Sequence, residues 1–359
     1  MSERWQAFHE QKRAFEHAGD KERLKMVRTF DEAFAHIETN PIEMVQRLRS
    51  GRDLARQLGE PWWVFFYEVW MANAIAANVR DSLGGLRQAL HCVNELRKPR
   101  LQHHPWRFSA CNTLLGCYLE TDPLGHLDAI RQALKQLDRE LPPGPSEDRY
   151  LMLSNKRDYY IVQSKLKQAE AVAIKHQSLF DADRGGSTWY LVFAIMDLCW
   201  IAFRRKDWDG LAHHAEHAEK ITAPLERMQL RWAESPLWLA IVARRRGDEM
   251  AAQRRRRIAE SRIAHLGKRP AEEHHDALAH FHEVGGDLEA ALAVRDEQIA
   301  KLQGTGRAFH ECATHLKRCR LLARLGRLSA ADLDLAREPA ARLKYPEAHL
   351  RQVNRMTIQ

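Results

Sequence analysis

The residue types richest in chemistry are histidine and arginine, and their spacing decides what they can do. His310-Glu311-Cys312-Ala313-Thr314-His315 has the residue types of a helical zinc site. Such a site needs its two histidines four residues apart, on one helix face. Here they are five apart, so the side chains diverge by about 140° around a helix. His213 and His217 do have the four-residue spacing, with Asp209 one turn earlier. Asp209 to His217 spans roughly 12 Å of helix axis, too far for one ion to hold all three. The apolar stripe there runs through Trp208, Leu211, Ala215, Ala218 and Thr222, which turns both histidines toward water. In EEHHDALAHFHE (272–283) the histidines scatter around the helix. These stretches predict solvated histidine faces, with no metal and no cofactor.

The chain has no GxxxxGK[ST] phosphate loop, no strand–turn–helix glycine fingerprint and no GxSxG elbow. Its paired carboxylates read as solvated i, i+4 partners on helices. No enzyme is expected. The densest charge cluster is ARRRGDEMAAQRRRR (243–257), with seven arginines in fifteen residues. Successive helical residues rotate by about 100°, so Arg254 to Arg257 fan over about 300° and cannot all face one polyanion. The stripe Ala251, Ala252, Ala259, Ile263 and Leu266 puts Arg255 near the buried side, Arg256 on its flank, and Arg254 and Arg257 in water. Arg255 then needs a carboxylate partner or a path that lays its stem on the core and its head in water.

Net charge is +8, with 56 Lys and Arg against 48 Asp and Glu, and the two signs interleave along the chain. That balance argues against a dedicated nucleic-acid domain, although nucleic acid stays as an alternative partner. The six cysteines form no CxxC pair and sit in apolar-periodic stretches, as reduced thiols do. The charged N-terminal stretch lacks the apolar core of a signal peptide. Residues 62–79 and 190–203 are strongly apolar, yet Glu68 and Asp197 interrupt them, so both predict buried helices. A cytoplasmic protein with no membrane contact is expected.

These side chains ride on a beat of about forty residues. The stretches RRKDWDGLAHHA (204–215), RRRGDEMAAQRR (245–256), EVGGDLEAALAV (283–294) and ARLGRLSAADLD (323–334) each join two apolar-periodic segments. Their turns fall at Lys206-Asp207, Gly247-Asp248, Gly286-Asp287 and Gly326-Arg327, spaced by 41, 39 and 40 residues. The beat extends upstream through 164–173, 125–134, 84–93 and 41–50, with helical periodicity between and no strand alternation. Asn40-Pro41 reads as an N-cap followed by a first-turn proline, with Glu43 completing a capping box. Asp122-Pro123 and Ser235-Pro236 read the same way. LPPGPSED (141–148) and DRGGST (183–188) are the strongest breakers. The fold class is therefore all-α: one helix within residues 1–20, about eight antiparallel helix pairs over 21–342 as a helical-repeat solenoid, and a capping segment over 343–359. The last helix should begin near Pro346, and with the sequence stopping at Gln359 it is expected either to be a short cap or to be cut there.

GDLEAA (286–291), GDEMAA (247–252) and GRLSAA (326–331) resemble the corner of the tetratricopeptide repeat in its forty-residue variety. That variety occurs in kinesin light chains and in the sensor region of maltose-regulator-type bacterial activators. The family's small residues, which let paired helices approach, match Ala252, Ala291, Ala331 and Ala169 on second helices. On first helices they match Ala240, Ala279, Cys199 and Cys319. Leu211 departs from the pattern, and the family's Trp, Tyr and closing Pro positions are mostly unfilled. The resemblance spans residues 80–342 and is strongest after about 195. It implies a right-handed superhelix whose first helices line a concave groove. On that analogy the groove carries Asn155, Tyr159, Gln163, Trp200, Arg204, Arg244, Arg245, His280, Arg320 and Arg324. An aromatic and arginine-rich groove suits another protein or an acidic peptide segment. The same arginines and His280 could instead pair with Asp209, Glu249 and Glu283, and both readings stand at this point. The resemblance thus implies a non-enzymatic interaction module: an adaptor, a scaffold or a bacterial regulator. A sensor subunit for a separate enzyme or transcription factor is the further alternative.

Overall fold

The computed structural model describes residues 3–37, 39–142, 144–182, 188–223, 233–265 and 272–356. Pro143, most of the DRGGST stretch and Leu266 lie outside them. Among the described residues every regular element is a helix. A leading helix, α1 (Glu3–Ala18), precedes sixteen further helices among these residues. These are α2 (Lys21–Phe34) and α3 (Pro41–Gln57), α4 (Pro61–Asn73) and α5 (Ser82–Glu95), α6 (Arg107–Thr121) and α7 (Leu127–Glu140), α8 (Glu147–Val162) and α9 (Leu166–Ala182). There follow α10 (Thr188–Arg205) and α11 (Trp208–Thr222), α12 (Glu234–Arg245) and α13 (Glu249–His265), α14 (Glu272–Val284) and α15 (Leu288–Leu302), α16 (Ala308–Arg324) and α17 (Ala330–Ala341). A short α18 (Pro346–Asn354) comes last, and a π-helical turn, Ala74–Val79, extends α4.

The chain forms two compact units, Met1–Asn155 with Thr305–Arg307, and Lys156–Gly304 with Ala308–Gln359. In the first, α2 to α6 each pack on the next helix. Its core is aromatic: Trp5, Phe8, Phe30, Trp63, Phe66, Trp70 and Trp106 interlock, with Phe30 and Phe66 rings 4.8 Å apart. Each buried ring of this kind contributes about 2 kcal/mol of transfer free energy. In the second unit α9 to α12 pack in succession, α12 contacts both α13 and α14, and α14 to α18 continue the sequence. One apolar cluster spans α10 to α14 and another spans α15 to α18.

Helix starts follow local chemistry. The side chains of Asp20, Asn40, Asp81, Asp207, Asp248 and Asp287 each accept a hydrogen bond from the backbone N–H three residues on. Each such cap is worth about 1 kcal/mol. Lys206 adopts the left-handed backbone (φ 59°) that Gly247, Gly286 and Gly326 supply at the other corners. The corner geometry is therefore shared even where the sequence lacks glycine.

Several local expectations need correction. Asp122 does not start α7; it caps a turn by accepting from Gly125 N–H at 2.9 Å, and α7 begins only at Leu127. Ser235 lies inside the first turn of α12, and its hydroxyl donates to Glu219 instead of capping. The reciprocal capping box belongs to Ser329 and Asp332 of α17, whereas Glu43 pairs with Arg47 at 2.8 Å. Ala331 is exposed, and Leu333 occupies the inward position. The Gly326 corner holds two more residues before its cap than the Gly247 and Gly286 corners do, which shifts the helix phase. Ala169, Ala252, Ala291, Ala240, Ala279, Cys199 and Cys319 are all fully buried.

Glu68 and Asp197, which interrupt the two most apolar stretches, are both satisfied by ion pairs. Glu68 takes Arg56 at 2.8 Å and His91 at 3.3 Å, and Asp197 takes Arg157 at 2.6 Å. Among the described residues no helix is long and apolar enough to cross a membrane. The six cysteines are unbridged and all but Cys111 are buried, with burial pushing the Cys312 thiol up to about 12.

Candidate functional site

The corner at 243–257 distributes its arginines one by one. Arg244 stacks its guanidinium 3.6 Å from the Phe281 ring centre, bonds Glu249 and donates to the Phe281 carbonyl at 3.1 Å. Its side chain is only 11% exposed, and these contacts tie α12 to α13 and α14. Arg245 is exposed and sits 5.6 Å from the Trp208 ring centre. Arg246 reaches back to Asp209 of the preceding pair at 3.0 Å. The same backward tie recurs as Arg205–Glu170 and Arg327–Glu289. Arg254 and Arg257 are exposed, and Arg256 bonds Glu260 at 2.7 Å. Arg255 is half-buried and meets no hydrogen-bond or ion-pair partner among the described residues. The buried arginine of α13 is Arg262, which the repeat pattern did not single out. It forms a bidentate pair with Glu219 at 2.7 and 2.8 Å.

The first helices of the second unit bring together a different set. Phe203 at the end of α10 packs on Trp238 of α12 at 5.4 Å and on the His280 ring of α14 at 4.5 Å. His280 contacts Glu283 at 3.3 Å, and Glu283 lies 3.7 Å from Arg324 of α16. One turn earlier on α14, both oxygens of Asp276 accept from Lys317 of α16, at 2.8 and 2.7 Å. Arg295 of α15 reaches the same carboxylate and also donates to Gln298 at 2.9 Å. Arg295 is completely buried, a rare state for arginine that requires such partners.

Electrostatics follow from this packing. Burial alone would raise the Asp276 carboxyl, but Lys317 and Arg295 overcome it and hold it well below the usual carboxylate range. Burial pushes the Lys317 ammonium down, Asp276 opposes that, and nearby Arg295 and Arg204 add to the depression. Burial also lowers His280, while Glu283 and Asp276 beside it pull the other way. Two carboxylates, Asp276 and Glu283, thus share three cations: Arg295, Lys317 and Arg324. Arg204 is exposed, lies 4.9 Å from the Trp200 ring centre and has no carboxylate partner among the described residues. Arg320, one turn before Arg324, is likewise exposed and has no carboxylate partner among the described residues.

No family model matches the chain, and no curated protein matches its sequence.

The remaining expected residues sit elsewhere. Asn155 belongs to the first unit and donates to the Asn112 carbonyl at 3.1 Å. Tyr159 packs on Tyr160, and Gln163 donates to the Tyr159 carbonyl at 2.8 Å. Asp276, Arg295 and Lys317 were missed by spacing arguments. The available signal was Arg295 on the inward stripe Ala291, Ile299 and Leu302 of α15, where a charged residue needs a buried partner. Among the described residues, no three His, Cys, Asp or Glu side chains form a metal-holding group.

Proposed function

We propose that this chain is a non-enzymatic protein–protein interaction module. Its helix pairs stack as a tetratricopeptide-like superhelix, and the first helices α10, α12, α14 and α16 face an acidic segment of a partner protein. The observation that carries this reading is the surplus of cations beside aromatic surface. Arg204, with Trp200 and Phe203 adjacent, and Arg320 have no carboxylate partner among the described residues, while the neighbouring charges neutralise one another. Guanidinium groups on such a surface favour carboxylates through forked hydrogen bonds. The groove is narrower than the resemblance implies, because Arg244 is committed to Glu249 and Phe281.

The test is Arg204→Glu combined with Arg320→Glu. Both side chains are exposed, so the fold should melt unchanged. Losing two exposed arginine–carboxylate contacts of roughly 1 kcal/mol each weakens a partner by about thirtyfold. Affinity purification from the native host, with wild type and double variant compared by quantitative mass spectrometry, reads this out. An identical partner set from a folded double variant refutes the proposal.

A further inference from the structure

A second surface, on the first unit and built from other residues, has its own chemistry. The π-helical turn Ala74–Val79 widens the end of α4 and ends at Arg80 in the left-handed conformation (φ 63°). It packs between α3 and α5. Gly85 of α5 lies so close that a Cβ there would sit 2.6 Å from the Ala76 Cβ. A groove of about 480 Å³ opens along this seam. Its apolar lining is Ile42 and Val45 of α3 with Ile75 and Val79 of the turn. Ile42 is 62% exposed and Val79 is 36% exposed. An aliphatic pair so uncovered gains from a partner that removes it from water.

Charge selects the partner. Arg49 and Arg87 line the groove, are exposed, and have no hydrogen-bond or ion-pair partner among the described residues. The other three arginines of α3 are satisfied: Arg47 by Glu43, Arg52 by Asp53 and Arg56 by Glu68. The one carboxylate in the lining, Asp81, is engaged as the cap of α5 and accepts from Gly84 N–H at 2.8 Å. We infer that this groove docks a short acidic amphipathic peptide segment of a partner protein. Its aliphatic side chains cover the Ile42, Val45, Ile75 and Val79 floor, and its carboxylates meet Arg49 and Arg87. The inference does not rest on the face formed by α10 to α16.

The full chain is panned against a phage-displayed random peptide library, with excess soluble Arg49→Glu/Arg87→Glu chain as competitor. Recovered peptides therefore require the groove. They are synthesised with a fluorophore and titrated by anisotropy. The expected peptides alternate Asp or Glu with aliphatic residues. They bind at least tenfold more weakly to Arg49→Glu/Arg87→Glu and to Ile42→Asp, both with unchanged melting, and equally well to Arg204→Glu/Arg320→Glu. Recovery of no peptide, or of neutral or basic peptides, overturns the inference. So does binding of a twelve-nucleotide oligothymidine that Arg49→Glu/Arg87→Glu abolishes, which assigns the groove to nucleic acid. Self-association of wild type that Ile42→Asp removes overturns it too, by assigning the groove to a second copy.

Discussion

His104 should make the first unit acid-sensitive, with a magnitude that follows from its contacts. The ring is buried between Trp62 and Phe65, each 4.7 Å away centre to centre. Trp106 N–H donates to Nδ1 at 3.1 Å, so Nδ1 is the unprotonated nitrogen and Nε2–H donates to the Trp62 carbonyl at 3.2 Å. Protonation places a charge in an apolar cage and removes the acceptor for Trp106. Burial lowers the group, the Trp62 carbonyl pulls it partly back, and Arg107 adds to the depression, which reaches about 4. The unfolded chain, near 6.5, takes up its proton first as pH falls. Stability is therefore full above about 6.5 and is lost progressively down to about 4, by about 3 kcal/mol in total. Between pH 7.5 and 5 the loss is about 2 kcal/mol. The perturbation is His104→Asn, whose Oδ1 can replace Nδ1 as acceptor. Urea unfolding of both proteins at pH 7.5 and 5 should show a pH span about 2 kcal/mol smaller in the variant. His176, depressed to about 3 in the second unit, leaves a background of the same sign in both proteins. Imidazole NMR on the intact chain supplies the local readout. A His104 ring titrating near 6.5, or an unchanged pH span in a folded variant, refutes the reasoning.

Gly51→Ala gains about 1 kcal/mol of helix propensity but places Cβ 2.4 Å from the ring of buried Tyr67. That ring is held by its hydroxyl on the Met26 carbonyl, so overpacking of about 3 kcal/mol wins and the variant should unfold about 2 kcal/mol earlier in urea titrations. Arg295→Met removes a fully buried charge while Lys317 still neutralises Asp276. Its cost should be about 2 kcal/mol, whereas Arg295→Met/Lys317→Met, which leaves Asp276 without either cation, should cost about 5 kcal/mol or more in the same titrations.

Helix positions were legible because they depend on local chemistry. A cap at Asn40, Asp207, Asp248 or Asp287 acts on a backbone N–H three residues away, and the stripe that follows repeats with the helix itself. Where the local signal was ambiguous, as at Asp122-Pro123 and Ser235-Pro236, a cap-and-proline pair served a turn or a buried hydrogen bond instead. The extra two residues after Gly326 changed which side chain of α17 faces inward. No count of corner spacings carries that phase.

The sequence by itself determined a helical array, a forty-residue beat and the fanning of the arginines, since each depends on 100° per residue and on near neighbours. Only the tertiary structure decided which charges remain available. Arg244 and Arg246 were spent on Glu249 and Asp209, Arg204 and Arg320 were left without carboxylates among the described residues, and Arg295 was carried into the interior to meet Asp276. Those outcomes depend on residues up to about forty positions apart in the chain. An arginine's fate is set by which acid the packing of another helix brings within about 4 Å, and helical periodicity holds no record of that distance.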